Sequence, residues 1–166
     1  MADTYDFIIR LRAIRDYTDQ PLSEEELEAI LEAGRWTGSS KNRQDWSFIA
    51  VTDPERLKGL AEHGDFTQPV RDSAATIVLV QEPGGNMFDI GRAAQNMMLA
   101  AKAVGIVSCP ITLHRADDAA AYLGVSDGAV ARYAIALGHP SPNARPRKYG
   151  GRKPTAQVVR LDNGET

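Results

Sequence analysis

The chain lacks most of the residues that announce a catalytic centre. Its 166 residues include one cysteine, Cys109, which excludes an intramolecular disulfide framework and a cysteine-cluster metal site. The three histidines, His63, His114 and His139, lie far apart, and none has a metal-ligand partner at helical spacing. Each reads as a surface or hydrogen-bonded structural residue. No glycine-rich phosphate loop of the dinucleotide or P-loop form is present, and no serine nucleophile elbow. No apolar run approaches the ~18 residues of a membrane span. No basic stretch leads into an apolar run at the start, so the reading is a protein of the cytoplasm without a signal peptide. The formal net charge of −3 argues against general nucleic-acid binding. What remains is an ordinary globular composition, 43% hydrophobic and 25% charged. The length suits a single domain, 1–166, with a real core.

Charge is unevenly placed along the chain. Glu24, Glu25, Glu26, Glu28 and Glu32 crowd one early segment. Between Ser141 and Arg160 stand Arg145, Arg147, Lys148, Arg152, Lys153 and Arg160, with no acid among them. Prolines and glycines interleave these cations, so residues 141–166 read as an extended, basic C-terminal segment.

Periodicity predicts a first helix from Thr4 to Arg12. Ser23 and Glu26 form a capping-box pattern that opens a second helix, with Leu27, Ile30 and Leu31 on one stripe, ending near Gly34. Ser47 to Val51 reads as a strand, and Asp53-Pro54 as the cap and first position of a short helix. Thr76 to Val80 is an unbroken apolar run, the pattern of a buried central strand. Met87 to Val104 reads as a long helix closed by Gly105. Ile106 to Ile111 reads as a strand broken by Pro110. Asp117 is expected to cap a short helix ending at Gly124. Val130 to Leu137 is a further strand, and Val158 to Leu161 a last short one. Without strict βαβ alternation the class is α+β.

Three segments concentrate chemistry. Leu11-Arg12-Ala13-Ile14-Arg15-Asp16-Tyr17 puts two arginines on one side of the expected helical turn. Gly38-Ser39-Ser40-Lys41-Asn42-Arg43-Gln44-Asp45-Trp46 packs hydroxyls, amides and cations between a helix and a strand. Gly150-Gly151-Arg152-Lys153-Pro154 lies in the basic segment. Arginines from both ends of the chain suit a phosphate dianion, which the guanidinium fork can grip. Asn42 and Gln44 suit the edge of a planar heterocycle. Cys109, with no base or cation near it in sequence, reads as a buried inert thiol.

These motifs, in this order, resemble the nitroreductase family of FMN-dependent flavoproteins. The family pattern opens with Arg-Arg-Ser-x-Arg-x-aromatic, continues into Pro-Ser-x-x-Asn-x-Gln-Pro-Trp before a strand, and closes with Arg-x-Pro. Residues 89–103, with Gln95-Asn96-Met97-Met98, are similar to its long central dimer helix, and Cys109-Pro110-Ile111-Thr112 to the strand beside its flavin. The resemblance implies a sandwich with a mostly antiparallel central sheet flanked by helices, working as an interlocked homodimer with two FMN sites in the interface. Arg12 and Arg152 would grip the phosphate, with Ala13 at the position of the family's serine. Arg15 would lie near the pyrimidine end of the ring. Ser39, Ser40 and Asn42 would reach the flavin from the partner, with Gln44 and Lys153 as further contacts. Pro110, Ile111 and Thr112 would line the other face.

The implied activity is hydride transfer from NADH or NADPH through FMN to a nitroaromatic, quinone or similar acceptor, by a ping-pong mechanism. The flavin would carry the chemistry without a side-chain nucleophile or metal. The chain departs from the pattern at Leu11, Ala13, Gly38, Asp45 and Gly150. Those departures leave two alternatives: a flavin-binding or scavenging protein without turnover, and a non-enzymatic anion-binding dimer. The short chain leaves little room for a helical cover over the pocket, so an open flavin face is expected.

Overall fold

A computed structural model describes residues 2–125, 128–147 and 150–162. Its sheet is built from β1 (Trp46–Val51), β2 (Ala75–Gln81), β3 (Val107–Thr112) and β4 (Val130–Gly138), in the spatial order β1-β2-β4-β3. Every neighbouring pair is antiparallel, with Phe48 opposite Leu79, Val78 opposite Ala134 and Cys109 opposite Ala136. β2 is buried on both faces, as its unbroken apolar run predicts.

Among the described residues, the strands are accompanied by the α-helices α1 (Ala2–Ile9), α2 (Glu24–Arg35), α3 (Pro54–Ala61), α4 (Gln68–Arg71), α5 (Met87–Ala103), α6 (Ala116–Leu123) and α7 (Thr155–Val158). α2 and α5 cover one face, where Ile30 and Met97 pack against Ile77, Leu79, Ile135 and Leu137. α3, α4 and α6 cover the other, where Leu57, Leu60, Val70 and Ala119 meet Val78, Val80, Cys109 and Ile111. The result is an α+β sandwich with two separate apolar cores.

α2 begins as its sequence dictates. The Ser23 hydroxyl accepts from the Glu26 amide at 3.1 Å, and the Glu26 carboxylate accepts from the Ser23 amide at 2.7 Å. Three glutamates in its first turn complement the positive end of the helix dipole. Ser23→Ala is expected to cost ~1 kcal/mol, read as a lower urea midpoint at unchanged m-value. α5 ends at the Gly105 turn, as expected, with Gly105 in the left-handed region at φ +83°. α2 and α5 touch closely at Gly34, where an added Cβ would lie 1.9 Å from the Met97 methyl carbon.

Four expectations are corrected. α1 stops at Ile9, before either arginine. The Arg12 guanidinium folds back onto the carbonyls of Ile9 and Leu11, each at 2.7 Å. The first of these is a carbonyl that the helix end leaves open. Residues 11–18 then run along the sheet, with the Ile14 amide donating to the Ser108 carbonyl at 3.0 Å and the Thr18 amide to the His139 carbonyl at 2.9 Å. β3 runs unbroken through Pro110 because it is an edge strand, where a missing amide is tolerated. Arg115, not Asp117, occupies the N-cap of α6, and Asp117 falls in its first turn. Arg115 is fixed there by bonds to the Glu62 carbonyl and the Asp65 carboxylate. Near the C-terminus, a single helical turn, α7, replaces the start of the expected strand, and residues 159–162 are not in a strand.

Candidate functional site

The fold delivers the first two chemistry-bearing segments to different crevices of one chain. The extended course of residues 11–18 decides where the first goes. Ala13 turns inward and packs against the core beneath β3, while Arg12 is exposed. Arg15 is half-buried and lines a crevice of about 510 Å³ with Gly64, Phe66, Arg71, Arg115 and Arg147. Arg12 and Arg15 therefore do not share one side of a helical turn.

Beneath Arg15 lies Cys109, which is 1% exposed. Burial pushes its thiol above the ordinary value, partly offset by the charge and hydrogen bond of Arg15. The thiol is buried as expected, but a cation does stand beside it. Tyr17, two residues on, is held by a bond from its phenol to the Ile14 carbonyl at 3.1 Å. Burial raises its phenol well above the usual range.

The opposite wall of the crevice is braced by charge. Arg71 pairs with the Glu62 carboxylate. Arg115 donates to the Asp65 carboxylate at 2.8 Å and to the Glu62 carbonyl at 2.6 Å. The Arg71 bond holds the Glu62 carboxyl below its ordinary value, and the Arg115 bond does the same for Asp65. The Asp65 amide donates to His114 Nδ1 at 3.1 Å. This bracing presents Phe66, 82% exposed, on a fixed segment. Gly64 backs onto β3, where an added Cβ would stand 2.8 Å from the Thr112 carbonyl oxygen. Phe66, Arg71 and Arg115 were not singled out from the sequence. The only signal for them was an aromatic in a short polar turn, which marks no particular chemistry.

The second segment, residues 38–45, forms a loop with one 3₁₀ turn at Ser40–Asn42. Lys41, Asn42 and Gln44 have φ of +53°, +54° and +54°. Side chains rarely adopt this left-handed conformation, which costs ~1–2 kcal/mol outside glycine and is most readily accepted by asparagine. Internal bonds hold the turn: the Gln44 amide donates to Ser39 Oγ at 2.9 Å and the Trp46 amide to the Gln44 carbonyl at 2.8 Å. Ser40 lines a polar crevice of about 340 Å³ beside Arg43, Asp45 and the residues that lead into α5. Asn42 and Gln44 are exposed.

Pro110 and Ile111 line a third space, an apolar groove of about 260 Å³ between β3, β4 and the first half of α5. Arg152 and Lys153 are fully on the surface. Lys148, part of the basic segment, lies outside the described residues. His63 stacks obliquely on Tyr122, His114 accepts from Asp65, and His139 Nε2 is 3.4 Å from a Glu26 carboxylate oxygen. All three thus have protein neighbours, and no cluster able to hold a metal ion occurs among the described residues. No helix is long and apolar enough to cross a membrane, again among the described residues.

Comparison with known proteins matches this arrangement to one family. The model of the nitroreductase family matches residues 8–83 and 64–139. An Archaeoglobus fulgidus protein assigned as an NADH dehydrogenase/NAD(P)H nitroreductase is 30% identical over 151 residues, covering 84% of this chain and 87% of its own. The Bacillus subtilis protein named FMN reductase (NADPH) is 27% identical, covering 93% of this chain and 70% of its own. Among solved structures, one from Desulfovibrio desulfuricans, assigned as a nitroreductase and solved in complex with FMN, superposes with a TM-score of 0.83 at 28% identity, covering 95% of each chain. The order of motifs, the antiparallel sandwich and these matches agree: the chain belongs to the nitroreductase family.

Proposed function

We propose that two copies of this chain form an oxidoreductase that passes hydride from NADH or NADPH through FMN to a nitroaromatic, quinone or similar acceptor, in two successive half-reactions. Its family makes the chain an NAD(P)H oxidoreductase of the nitroreductase kind, with FMN as cofactor. The donors present fit FMN: guanidinium groups for a phosphate dianion, and hydroxyls and amides for a planar ring edge. FMN, when bound, supplies the hydride-accepting ring. Arg15, half-buried, would supply the positive charge that stabilises an anionic reduced ring. Ser39, Ser40, Asn42 and Gln44 offer polar groups from a loop already shaped by internal bonds. Pro110, Ile111 and Thr112 supply an apolar wall and strand backbone. Arg152 and Arg12 hold the phosphate, and Ala13 offers no hydroxyl there.

The observation that carries the dimer is the separation of these groups. Arg15, the 38–45 loop and Pro110 open onto three different spaces on one chain. Phe66 is exposed at one of them, and Tyr5, Phe88 and Leu161 are further large apolar side chains exposed on the chain. A second copy brings one chain's loop to the other's strand and covers that surface. The whole chain acts in this reading as a single domain whose residues 141–166 complete the site.

The test is a visible absorption spectrum of the protein with FMN, before and after anaerobic NADH or NADPH, followed by a quinone. Bound flavin that bleaches and is restored by the quinone supports the oxidoreductase. Bound flavin that never bleaches favours a flavin carrier. Absence of uptake overturns the FMN site and turns attention to the basic segment as an anion-binding surface.

A further inference from the structure

Asp45 stands where the family pattern has proline, and it puts a carboxylate at the end of the loop assigned to the cofactor. Its partner is in the loop itself. Arg43 Nε lies 2.7 Å from an Asp45 carboxylate oxygen, and Arg43 Nη2 donates to the Gly84 carbonyl at 2.9 Å. The Asp45 carbonyl in turn accepts from the Glu82 amide at 3.2 Å. Gly85 closes against that same carbonyl, where an added Cβ would lie at 2.6 Å. Arg43 and Asp45 are thus paired along the lining of the crevice below the loop, and they tie the loop to the turn before α5.

We infer that Arg43 is a positioning residue of the flavin site: it cancels the charge of Asp45 and holds the 38–45 loop against the 82–85 turn. The inference rests on the flavin reading of that loop. The pair explains how this chain accommodates an acid beside an anionic cofactor. Paired, Asp45 contributes little field at the ring; bared, it repels both the phosphate and the reduced ring. The two residues form a unit in which losing the cation harms more than losing both charges.

The test uses the full chain with Arg43→Ala, Asp45→Asn and the double variant, and Arg43→Lys as the conservative control. FMN affinity is read by fluorescence titration, and the midpoint potential of the bound flavin by anaerobic reductive titration. Arg43→Ala is expected to weaken FMN about tenfold and to move the potential to more negative values. The double variant is expected to recover most of both changes, and Arg43→Lys part of them. A role confined to loop structure predicts the reverse order, with the double variant no better than Arg43→Ala. That order overturns the inference, as does native affinity and potential in Arg43→Ala. The Arg43 side chain is 53% exposed, so its loss leaves the fold standing. Failure of the unaltered protein to bind FMN would remove the flavin reading first, and this inference with it.

Discussion

Replacing Gly138 with alanine is expected to lower the melting temperature by about 5 °C and to weaken FMN binding at the same time. An added Cβ at Gly138 would stand 2.8 Å from Tyr17 Cγ and 2.9 Å from Tyr17 Cβ. Those atoms are next to the backbone, so no rotation of the ring clears them. The tyrosine is also committed elsewhere. Its phenol is bonded to the Ile14 carbonyl and its backbone bridges to Pro140. Relief therefore requires residues 14–18 to move as a piece, and overpacking of this kind costs ~1–3 kcal/mol. The same piece carries Arg15, so the loss of stability and the loss of flavin affinity share one cause. Circular dichroism melts and a flavin titration of the variant check both. Native melting with native affinity would mean that residues 14–18 yield without cost.

Deleting residues 150–166 is expected to leave a folded monomer that takes up no FMN. Residues 150–162 are exposed throughout, so on their own chain they bury almost nothing that the core needs. The proposed dimer would depend on them, with the exposed Val158, Val159 and Leu161 covered by the second copy and Arg152 turned to its cofactor. Arg152→Ala separates the two contributions. It removes one charge-assisted contact, worth ~1.5–3 kcal/mol, so FMN affinity should fall more than tenfold while the dimer persists. Light scattering and flavin titration read the two effects independently. A truncated chain that stays dimeric and binds FMN would take the segment out of the site. Unchanged affinity in Arg152→Ala would remove that one residue.

Elements whose causes are local could be read from the sequence. The capping box starts α2, the Asp53-Pro54 pair starts α3, the apolar run makes β2, and Gly105 and Gly124 stop α5 and α6. Elements decided by a distant partner could not. α1 ends early because residues 11–18 gain backbone bonds to Ser108 and His139. Pro110 breaks nothing because β3 is at the edge of the sheet, a fact of topology. The N-cap of α6 is displaced by bonds from Arg115 to a loop some fifty residues earlier. The same division holds for the candidate site. The types of residue around it were legible, since Arg15, Asn42 and Pro110 stand in recognisable motifs. Their spatial separation was not. Asp45 was visible only as a departure, and its pairing with Arg43 needed the loop's left-handed backbone, which a glycine-free run of residues 39–46 does not suggest.

The order β1-β2-β4-β3 also governs how the chain can assemble. β4 is the last strand to be made, yet it is the neighbour of both β2 and β3. Until it arrives, β3 has no strand to pair with, and β2 has only β1. The ladder that β4 forms with β2 closes a loop of about fifty residues, and so long a closure slows folding. A nascent or refolding chain therefore passes through a stage in which the most apolar strand of the protein presents an open edge. Aggregation during refolding should be worst in that interval and should fall when the chain is dilute.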